Sequence, residues 1–486
     1  MKTIKPALIL SSLLLLASGL VTAQPIVFTN VTIIDVEEGV AMPGMSVIVT
    51  GERITAVGTL NEIKVSDGAT TIDGRGKYLI PGLWDMHIHN VNDVYKPVPW
   101  DFHTPDPEGA EQREIYMPIY LAFGVTGTRE LSGGLESIEL RKRIEAGEIL
   151  GPHMVIGSPL LDGPIPIFPD AAVMRIDGPE RARNVVTKLH SQGFDFLKPY
   201  SLLSAESYRA LHERARELEM EVAGEIPISV SLWEAAELGQ RSVEHLTGVE
   251  FACSNREEEL RAHYVSRLRD LNTDPSSEGA LDIWNRSEWE PFESLDPERC
   301  RKLYGHLAAH GTWVVPTLII QKMISHANDP RWANNPNFRY TWPMDLEALA
   351  DEFDPERRLR PLHDYRMSVI NELHDAGVGV LAGSDVSGGF TLHQELEIFV
   401  ESGMTPLDAL RTATINPARY LGRENDLGSI TPGKIADLVL LNKNPLDDIR
   451  NTQSIEAVVF RGHLLDRPNL DRILRQLEVE ANHLKD

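Results

Sequence analysis

Two histidines with one residue between them end a short apolar run in the stretch LIPGLWDMHIH, residues 79–89. Side chains alternate between the two faces of a β-strand, so the imidazoles of His87 and His89 point to the same side. Neutral imidazole is the commonest protein ligand for metal ions, and two of them at one strand end can hold a cation. Such a pair also occurs where a strand simply meets a polar loop. It therefore indicates a metal site only if other strands bring further ligands to the same place.

The elements that must position these histidines alternate between apolar runs and helical periodicity. Strand-like runs lie at 83–89, 125–130, 154–158, 194–198, 221–224, 242–245, 313–317 and 378–384. Amphipathic stretches such as 179–190 and 205–218 separate them. Eight strand–helix repeats predict an α/β fold of the (β/α)8 TIM-barrel type, whose reactive groups stand at the carboxyl ends of the strands.

Residues able to bind a metal occur at five of these carboxyl ends. They are His87 and His89 on the first strand, Lys198 on the fourth, Glu225 on the fifth, His245 on the sixth and Asp385 on the eighth. Because the strands of a closed barrel end on one rim, these six side chains are predicted to converge. The whole set, and not the histidine pair alone, indicates a metal centre.

Short β-branched runs flank the barrel at both ends of the chain. Residues 24–80 and 425–468 are predicted to form one small composite β-sandwich domain, with the barrel of residues 81–424 inserted between its halves. A carboxyl-terminal helix is predicted at 469–486. Two long connections, 255–297 and 320–361, contain several aromatic residues. We expect them to cover the active site as lids, and the alternative is that they are exposed insertions without function.

The first 23 residues have the pattern of a secretory signal peptide. Lys2 and Lys5 precede an apolar run from Ala7 to Leu16, and small residues end at Ala23. The run is too short to span a bilayer comfortably, and an uncleaved membrane anchor is the alternative. We therefore expect an exported protein, periplasmic or secreted, that has no membrane contact after cleavage.

Composition and charge bound the class of partner. The chain has 486 residues, 42% of them hydrophobic, and a formal net charge of -25 at pH 7. Such acidity argues against nucleic acids and anionic membranes as partners, and it says nothing about the substrate. A small-molecule substrate is expected, and a homo-oligomer is left open. An exported protein can hold a disulfide, but the sequence alone leaves open whether Cys253 and Cys300 meet.

The sequence resembles the amidohydrolase superfamily, in its prolidase-like and imidazolonepropionase-like branch of metal-dependent hydrolases. The resemblance rests on PGLWDMHIH (81–89), GVTGTRE (124–130), GFDFLKPY (193–200), VEH (243–245), GSD (383–385), ATINPA (413–418) and GSITPGKIADL (428–438). It implies a centre of two divalent metal ions, zinc first, with iron or manganese as alternatives. His87, His89 and Asp385 would hold the first metal. Lys198, carboxylated by CO2, would bridge both metals, and His245 would bind the second.

The chemistry that the resemblance implies is hydrolysis of a carbon–nitrogen bond. Two divalent ions share a water and lower its pKa, which gives hydroxide at neutral pH. Asp385 would act as general base towards this nucleophile and as general acid towards the leaving amine. The expected substrates are dipeptides, N-acyl amino acids or related amides. A cyclic amidase of the imidazolonepropionase type is one alternative, and a catalytically inactive binding protein is another.

The chain departs from the family pattern at Glu225. Relatives usually carry Gly-His-x-Pro on the fifth strand, whereas this chain has GEIP at 224–227. A carboxylate is a legitimate ligand for zinc, iron or manganese. With Glu225 bound, the anionic ligands would cancel the charge of two divalent ions, which predicts a less electrophilic second metal. In the alternative, Glu225 turns away and the second metal binds weakly or not at all.

Substrate contacts are the least specified part of the sequence. Relatives often carry a glycine–histidine segment after strand three, where this chain has GPIPIFP at 163–169, so the specificity of no relative carries over. Tyr200 faces the same side as Lys198 and is predicted to bind substrate, with packing at the rim as its alternative. Arg129 ends strand two and is a candidate to hold a substrate carboxylate, although a structural salt bridge is the favoured role.

Overall fold

The amino-terminal part of the chain forms strands rich in β-branched residues. The computed structural model describes residues 24–89, 114–168, 173–271, 277–329, 335–340, 346–354 and 356–483. The first strands are β1 (Ile26–Asp35), β2 (Val40–Thr50), β3 (Arg53–Thr59), β4 (Thr70–Asp73) and β5 (Tyr78–Pro81). Strand β1 pairs antiparallel with β2 and parallel with β4 and β5.

The second sheet forms the barrel wall. Its strands are β6 (Leu83–Ile88), β7 (Val125–Glu130), β8 (His153–Asp162), β9 (Val173–Arg175), β10 (Phe196–Pro199), β11 (Glu221–Gly224), β12 (Ser242–Glu244) and β13 (Trp313–Val315). All pairings are parallel, in the order β13-β12-β11-β10-β8-β7-β6, and β9 lies beside β8. The predicted TIM-like barrel is confirmed.

The last predicted barrel strand, 378–384, is irregular but closes the wall. Val380 forms a parallel bridge with Val314 of β13, and Met86 of β6 donates its N–H to Ala382 O at 2.9 Å. A side chain at Gly383 would place its Cβ 2.6 Å from Cβ of His87. The close approach of this segment to β6 therefore requires glycine, and the approach brings Asp385 beside the histidines.

Strands from the carboxyl-terminal part complete the first sheet. They are β14 (Leu438–Leu441), β15 (Ile455–Phe460) and β16 (His463–Asp466), and the order of the sheet is β16-β15-β14-β5-β1-β2-β3. Strand β14 pairs antiparallel with β5, with Leu438 opposite Pro81. Phe28, Leu79 and Leu440 lie in the buried core of this sheet. The chain thus enters and leaves the barrel through neighbouring strands of one sheet, as predicted.

Helices follow most barrel strands. They are α1 (Pro118–Ala122), α2 (Leu135–Glu145), α3 (Pro179–Gln192), α4 (Ala205–Glu217), α5 (Leu232–Leu238), α6 (Val249–Cys253), α7 (Glu257–Leu271), α8 (Ser277–Trp289), α9 (Pro297–His310), α10 (Leu318–Ser325), α11 (Leu346–Phe353), α12 (Leu359–Asp375), α13 (Phe390–Glu401), α14 (Pro406–Thr412), α15 (Ile415–Tyr420) and α16 (Arg467–His483). Single 3-10 turns lie at Pro291–Ser294, Pro336–Tyr340 and Ile449–Gln453.

The described parts of the two long insertions are largely helical. The first contains α7 and α8, and the second contains α11 and the turn at Pro336–Tyr340. A disulfide joins Cys253, the last residue of α6, to Cys300 in α9. It resolves the question that the sequence left open, and it ties together the two ends of the first insertion.

None of the helices within the described ranges is long and apolar enough to cross a membrane. The predicted signal peptide, residues 1–23, lies outside the described residues. So do the last three residues of the predicted carboxyl-terminal helix, whose described part is α16.

Candidate metal centre

His87, His245 and Asp385 meet at the carboxyl end of the barrel. The nitrogen and oxygen atoms that they can offer to a cation all lie within 4.8 Å of one another. His89 joins them, because its Nε2 lies 3.1 Å from Oδ1 of Asp385. Four of the six metal-binding candidates from the sequence therefore come together around one point.

The backbone at two of these residues is strained. His245 has φ 58° and Asp385 has φ 56°, in the left-handed region that residues other than glycine seldom occupy. Hydrogen bonds hold both in place: His245 N–H donates to Val315 O at 2.9 Å, and Asp385 N–H donates to His87 O at 2.7 Å. Such strain costs about 1–3 kcal/mol per residue and concentrates at functional sites. Both strained residues offer ligand atoms to the cluster.

The protonation states of His89, His245 and Asp385 suit metal binding. Burial opposes protonation of His87, but the carboxylates of Asp385 and Glu244 outweigh burial and raise the pKa of His87. Burial lowers the pKa of His89 and lowers that of His245 well below its usual value, so both imidazoles are neutral and keep a lone pair. Burial opposes ionisation of Asp385, but the imidazoles of His87, His89 and His245 outweigh it and hold the carboxyl pKa well below its usual range. Neutral imidazoles beside an ionised carboxylate form a donor set that zinc and similar cations prefer.

Glu244 orients His87, and the sequence analysis missed it. His87 Nδ1 donates to Glu244 Oε2 at 2.7 Å, which leaves Nε2 as the nitrogen with a free lone pair. This buried Nε2 faces Asp385 Oδ1 at 3.3 Å and has no hydrogen-bond partner in the described part of the chain. A buried acceptor without a partner is costly unless something binds it, so the site fits a cation at this position. Strand alternation was the available signal, since Ser242 and Glu244 face the interior together.

Asp85 ties the first strand to the last. Its carboxylate accepts Ser384 N–H at 2.9 Å and Ser384 Oγ–H at 2.6 Å. Burial raises the pKa of Asp85 to about 7. Because Asp385 follows Ser384 directly, these bonds fix its position relative to His87. Asp85 precedes His87 by two residues, so the alternation that selected His87 and His89 also selects Asp85.

Lys198 lies buried at the end of β10, with 1% of its surface exposed. Burial lowers the pKa of its ammonium, although the carboxylates of Glu225, Glu244 and Asp385 oppose the shift. Ser158 Oγ accepts the Lys198 backbone N–H at 2.9 Å and fixes the end of the strand. The side chain therefore belongs to the same buried group of charges as the histidine cluster.

Glu225 faces the site. Its Oε1 lies 3.7 Å from His245 Nε2, and its Oε2 accepts a hydrogen bond from Ser201 Oγ. Burial raises the pKa of Glu225 to about 7. The Glu225 carboxyl therefore lies on the same side as His245.

Arg129 lies beneath the site and not at its opening, which corrects its assignment to a substrate carboxylate. The residue is fully buried. Its Nη2 donates to Glu244 Oε1 at 2.5 Å, and its Nε donates to Met86 O at 2.8 Å. The guanidinium packs between the rings of Phe196 and Tyr420, with its Cζ 5.2 Å and 5.1 Å from their centroids. Arg129 thus forms a structural salt bridge, the role that the sequence favoured.

Tyr200 lies beside Glu225 with 9% of its surface exposed. Burial and the carboxylates of Glu225, Asp162 and Asp385 raise the pKa of its hydroxyl well above the usual value. The hydroxyl is therefore a neutral hydrogen-bond donor directed at the site. Both predicted roles, substrate contact and packing at the rim, are compatible with this position.

A parallel barrel with imidazoles and a carboxylate at its carboxyl rim defines a site of the metal-hydrolase type. Residues 78–465 match the model of the amidohydrolase family. The chain therefore belongs to the amidohydrolase family, whose members include hydrolases acting on carbon–nitrogen bonds, and the resemblance inferred from its motifs is confirmed.

Individual relatives agree in overall architecture. Ochratoxinase of Aspergillus niger is 25% identical over 471 residues, which cover 87% of this chain and 83% of that protein. The crystal structure of A. niger ochratoxinase has a TM-score of 0.63 and 20% identity, and covers 92% of this chain and 96% of that chain. A Xaa-Pro dipeptidase with bound methionine has a TM-score of 0.66 and 20% identity, and covers 91% of this chain and 100% of that chain. At these identities, the solved structures establish the fold.

Proposed function

We propose that this hydrolase cleaves the amide or peptide bond of small substrates such as dipeptides and N-acyl amino acids at a binuclear metal centre. The observation that carries the proposal is the convergence of His87, His245 and Asp385 around the unpartnered Nε2 of His87. The name of one protein with the same fold, a Xaa-Pro dipeptidase, points to the same class of bond.

The metal ligands follow from the donor set. His87, His89 and Asp385 would hold the first ion, and His245 and Glu225 the second, with zinc first and iron or manganese as alternatives. Lys198 would bridge them as a carbamate, formed when its neutral amine adds to CO2 and releases a proton. Burial, which lowers the pKa of Lys198, supports this reaction because only the neutral amine has a lone pair.

When bound, the metal pair would supply a Lewis acid for the scissile carbonyl and a water of lowered pKa. The Asp385 carboxylate would accept the proton of the attacking water and deliver it to the nitrogen of the leaving amine. Its ionised state, held by three imidazoles, prepares it for the first of these steps. Glu244 would keep His87 in the tautomer that presents Nε2.

Export to an oxidising compartment is part of the proposal. The disulfide between Cys253 and Cys300 supports it, because disulfides persist in secreted and periplasmic proteins and are rare in reducing cytosol.

The proposal is tested by incubating the purified, metal-loaded protein with a library of dipeptides, N-acyl amino acids, lactams and imidazolones. We expect release of free amine from linear amides, loss of release after treatment with a chelator, and recovery when zinc or manganese is restored. Asp385→Asn should abolish release while its fold is retained. Turnover confined to ring substrates would replace the proposal with the cyclic amidase, and the absence of turnover on every substrate would overturn it.

A further inference from the structure

Four aromatic side chains from separate parts of the chain meet beside the metal centre. The ring of Phe168, in the loop after β8, lies 6.0 Å from Tyr200, 6.4 Å from Trp284 and 5.7 Å from Phe353, measured between centroids. Trp284 and Phe353 lie 6.0 Å apart. Trp284 belongs to the first insertion and Phe353 to the second. We refer to these four residues as the aromatic cluster.

One member of the aromatic cluster, Tyr200, lies next to the candidate metal ligands. The ring centroid of Tyr200 lies 5.8 Å from Nζ of Lys198, and the Tyr200 hydroxyl bonds to the Glu225 carboxylate. From there the cluster runs through Phe168 to the helices of both insertions. A substrate whose scissile bond lies at the metals would place a neighbouring group against these rings.

The outer rings of the aromatic cluster are only partly covered. Phe168, Trp284 and Phe353 are each half-buried, whereas Tyr264 and Ile283 in the same hydrophobic group are buried. Half-covered aromatic faces beside a reaction centre bind rings by stacking and edge contacts.

The helix that carries Trp284 is held in place. Glu288 follows Trp284 by one helical turn and lies on the same face of α8. It accepts a hydrogen bond from Arg366 Nη2 at 2.7 Å, and Arg366 also donates from Nε to Glu250 at 2.7 Å. Glu250 lies in α6, whose last residue is in the disulfide with Cys300. Contacts within the protein therefore fix the position of α8 in the absence of substrate.

We infer that the aromatic cluster is the specificity pocket, and that the favoured substrates are amides with an aromatic ring close to the scissile bond. This inference rests on the proposed amide hydrolysis for its substrate series, but ligand binding tests it separately. It assigns a function to the segment at 163–168, where the sequence departs from its relatives, and to both insertions.

Two matched substrate pairs test the inference: N-acetylphenylalanine against N-acetylalanine, and phenylacetylglycine against acetylglycine. We expect kcat/KM to favour the aromatic member of at least one pair by about tenfold or more, the range that a fitted apolar pocket supplies. Trp284→Ala and Phe168→Ala should reduce this ratio about tenfold, mainly through a higher KM for the aromatic member.

Trp289→Ala is the matched control, since Trp289 lies on the same helix but stacks on Arg358, with the Arg358 Cζ 3.6 Å from its ring centroid. It should leave the ratio unchanged. Trp284→Phe, which retains a ring, should restore most of the preference if Trp284→Ala folds poorly. Equal ratios in wild type, Trp284→Ala and Trp289→Ala would overturn the inference, as would a preference for the small member in both pairs.

Calorimetric titration with the same four compounds separates this inference from the proposed function. If no compound is hydrolysed, tighter binding of an aromatic member to wild type than to Trp284→Ala still supports the pocket, while the proposed function fails. Hydrolysis of both pairs without aromatic preference in rate or binding leaves the proposed function standing and overturns the pocket.

Discussion

At the scale of single residues, the candidate metal ligands could be predicted from the sequence, but the residues that hydrogen-bond to them could not. His87, His89, His245 and Asp385 were accessible because each ends a strand-like run and the carboxyl ends of a barrel share one rim. Strand alternation directs Glu244 into the barrel but does not pair it with His87, because Glu244 lies 157 residues away in sequence and reaches His87 only across the closed barrel. The salt bridge of Arg129 was expected, but its partners were not, since they come from another strand.

The buried Glu244 carboxylate accepts hydrogen bonds from both Arg129 and His87. Removing its negative charge therefore tests its role. Glu244→Gln keeps the shape but leaves Arg129 without its counter-charge. We expect metal affinity to fall about 10- to 100-fold, as when other supports of metal ligands are removed, and the protein to lose about 3–5 kcal/mol of stability. Competition with a chromogenic chelator and urea unfolding measure these effects. Glu234→Gln, at an exposed pair with Arg209, is the control. Wild-type metal affinity in Glu244→Gln would refute the assigned role.

Glu225 makes a different prediction, because it changes the charge of the proposed centre. Replacing it by His adds one unit of positive charge near the reacting water and favours the deprotonated nucleophile. We expect the acidic limb of the pH–rate profile of Glu225→His to move down by about one pH unit, with altered occupancy of the second metal. Glu221→His, at the other end of β11 and 48% exposed, should leave the profile in place. Unchanged profile and occupancy in Glu225→His would exclude Glu225 as a ligand.

At the scale of elements, the sequence predicted the barrel strands well and the insertions poorly. Apolar runs with clear boundaries mark strands, but the segment at 378–384 pairs only at isolated points, because Gly379 and Gly383 bring its backbone against Trp313 and His87. The positions of α8 and α11 depend on long-range contacts such as the ring contact between Trp284 and Phe353. No local periodicity encodes contacts between separate insertions.

The disulfide yields a prediction for the first insertion. Cys253 and Cys300 are 47 residues apart in sequence, and closing a loop of this length stabilises the folded chain by about 4 kcal/mol in the chain-entropy model. The double variant Cys253→Ala/Cys300→Ala should lose stability of this order in urea unfolding. A thiol reductant should destabilise wild type and leave the double variant unchanged. An equal response of both proteins to reductant would show that the disulfide does not account for the stability.

At the scale of the whole molecule, the first sheet closes the chain around the barrel, and the barrel brings the candidate ligands together. The pairing of β5 with β14 fastens the start and the end of the barrel region together. The amino-terminal and carboxyl-terminal runs predicted a shared domain because neither holds enough strands to bury a core alone. The barrel then gathers on one rim side chains that are spread from residue 87 to residue 385. The proposed function depends on the convergence of these side chains and not on any single sequence motif.

The most direct test of the account is the metal content of the purified protein, measured by mass spectrometry alongside amide hydrolysis. The account predicts about two divalent ions per wild-type chain, with occupancy and hydrolysis falling together in His87→Ala, His245→Ala and Asp385→Ala. His153→Ala, whose imidazole bonds Asp437 away from the cluster, should retain both. A wild-type protein that hydrolyses amides with no bound metal, and that a chelator does not inhibit, would contradict the central claim.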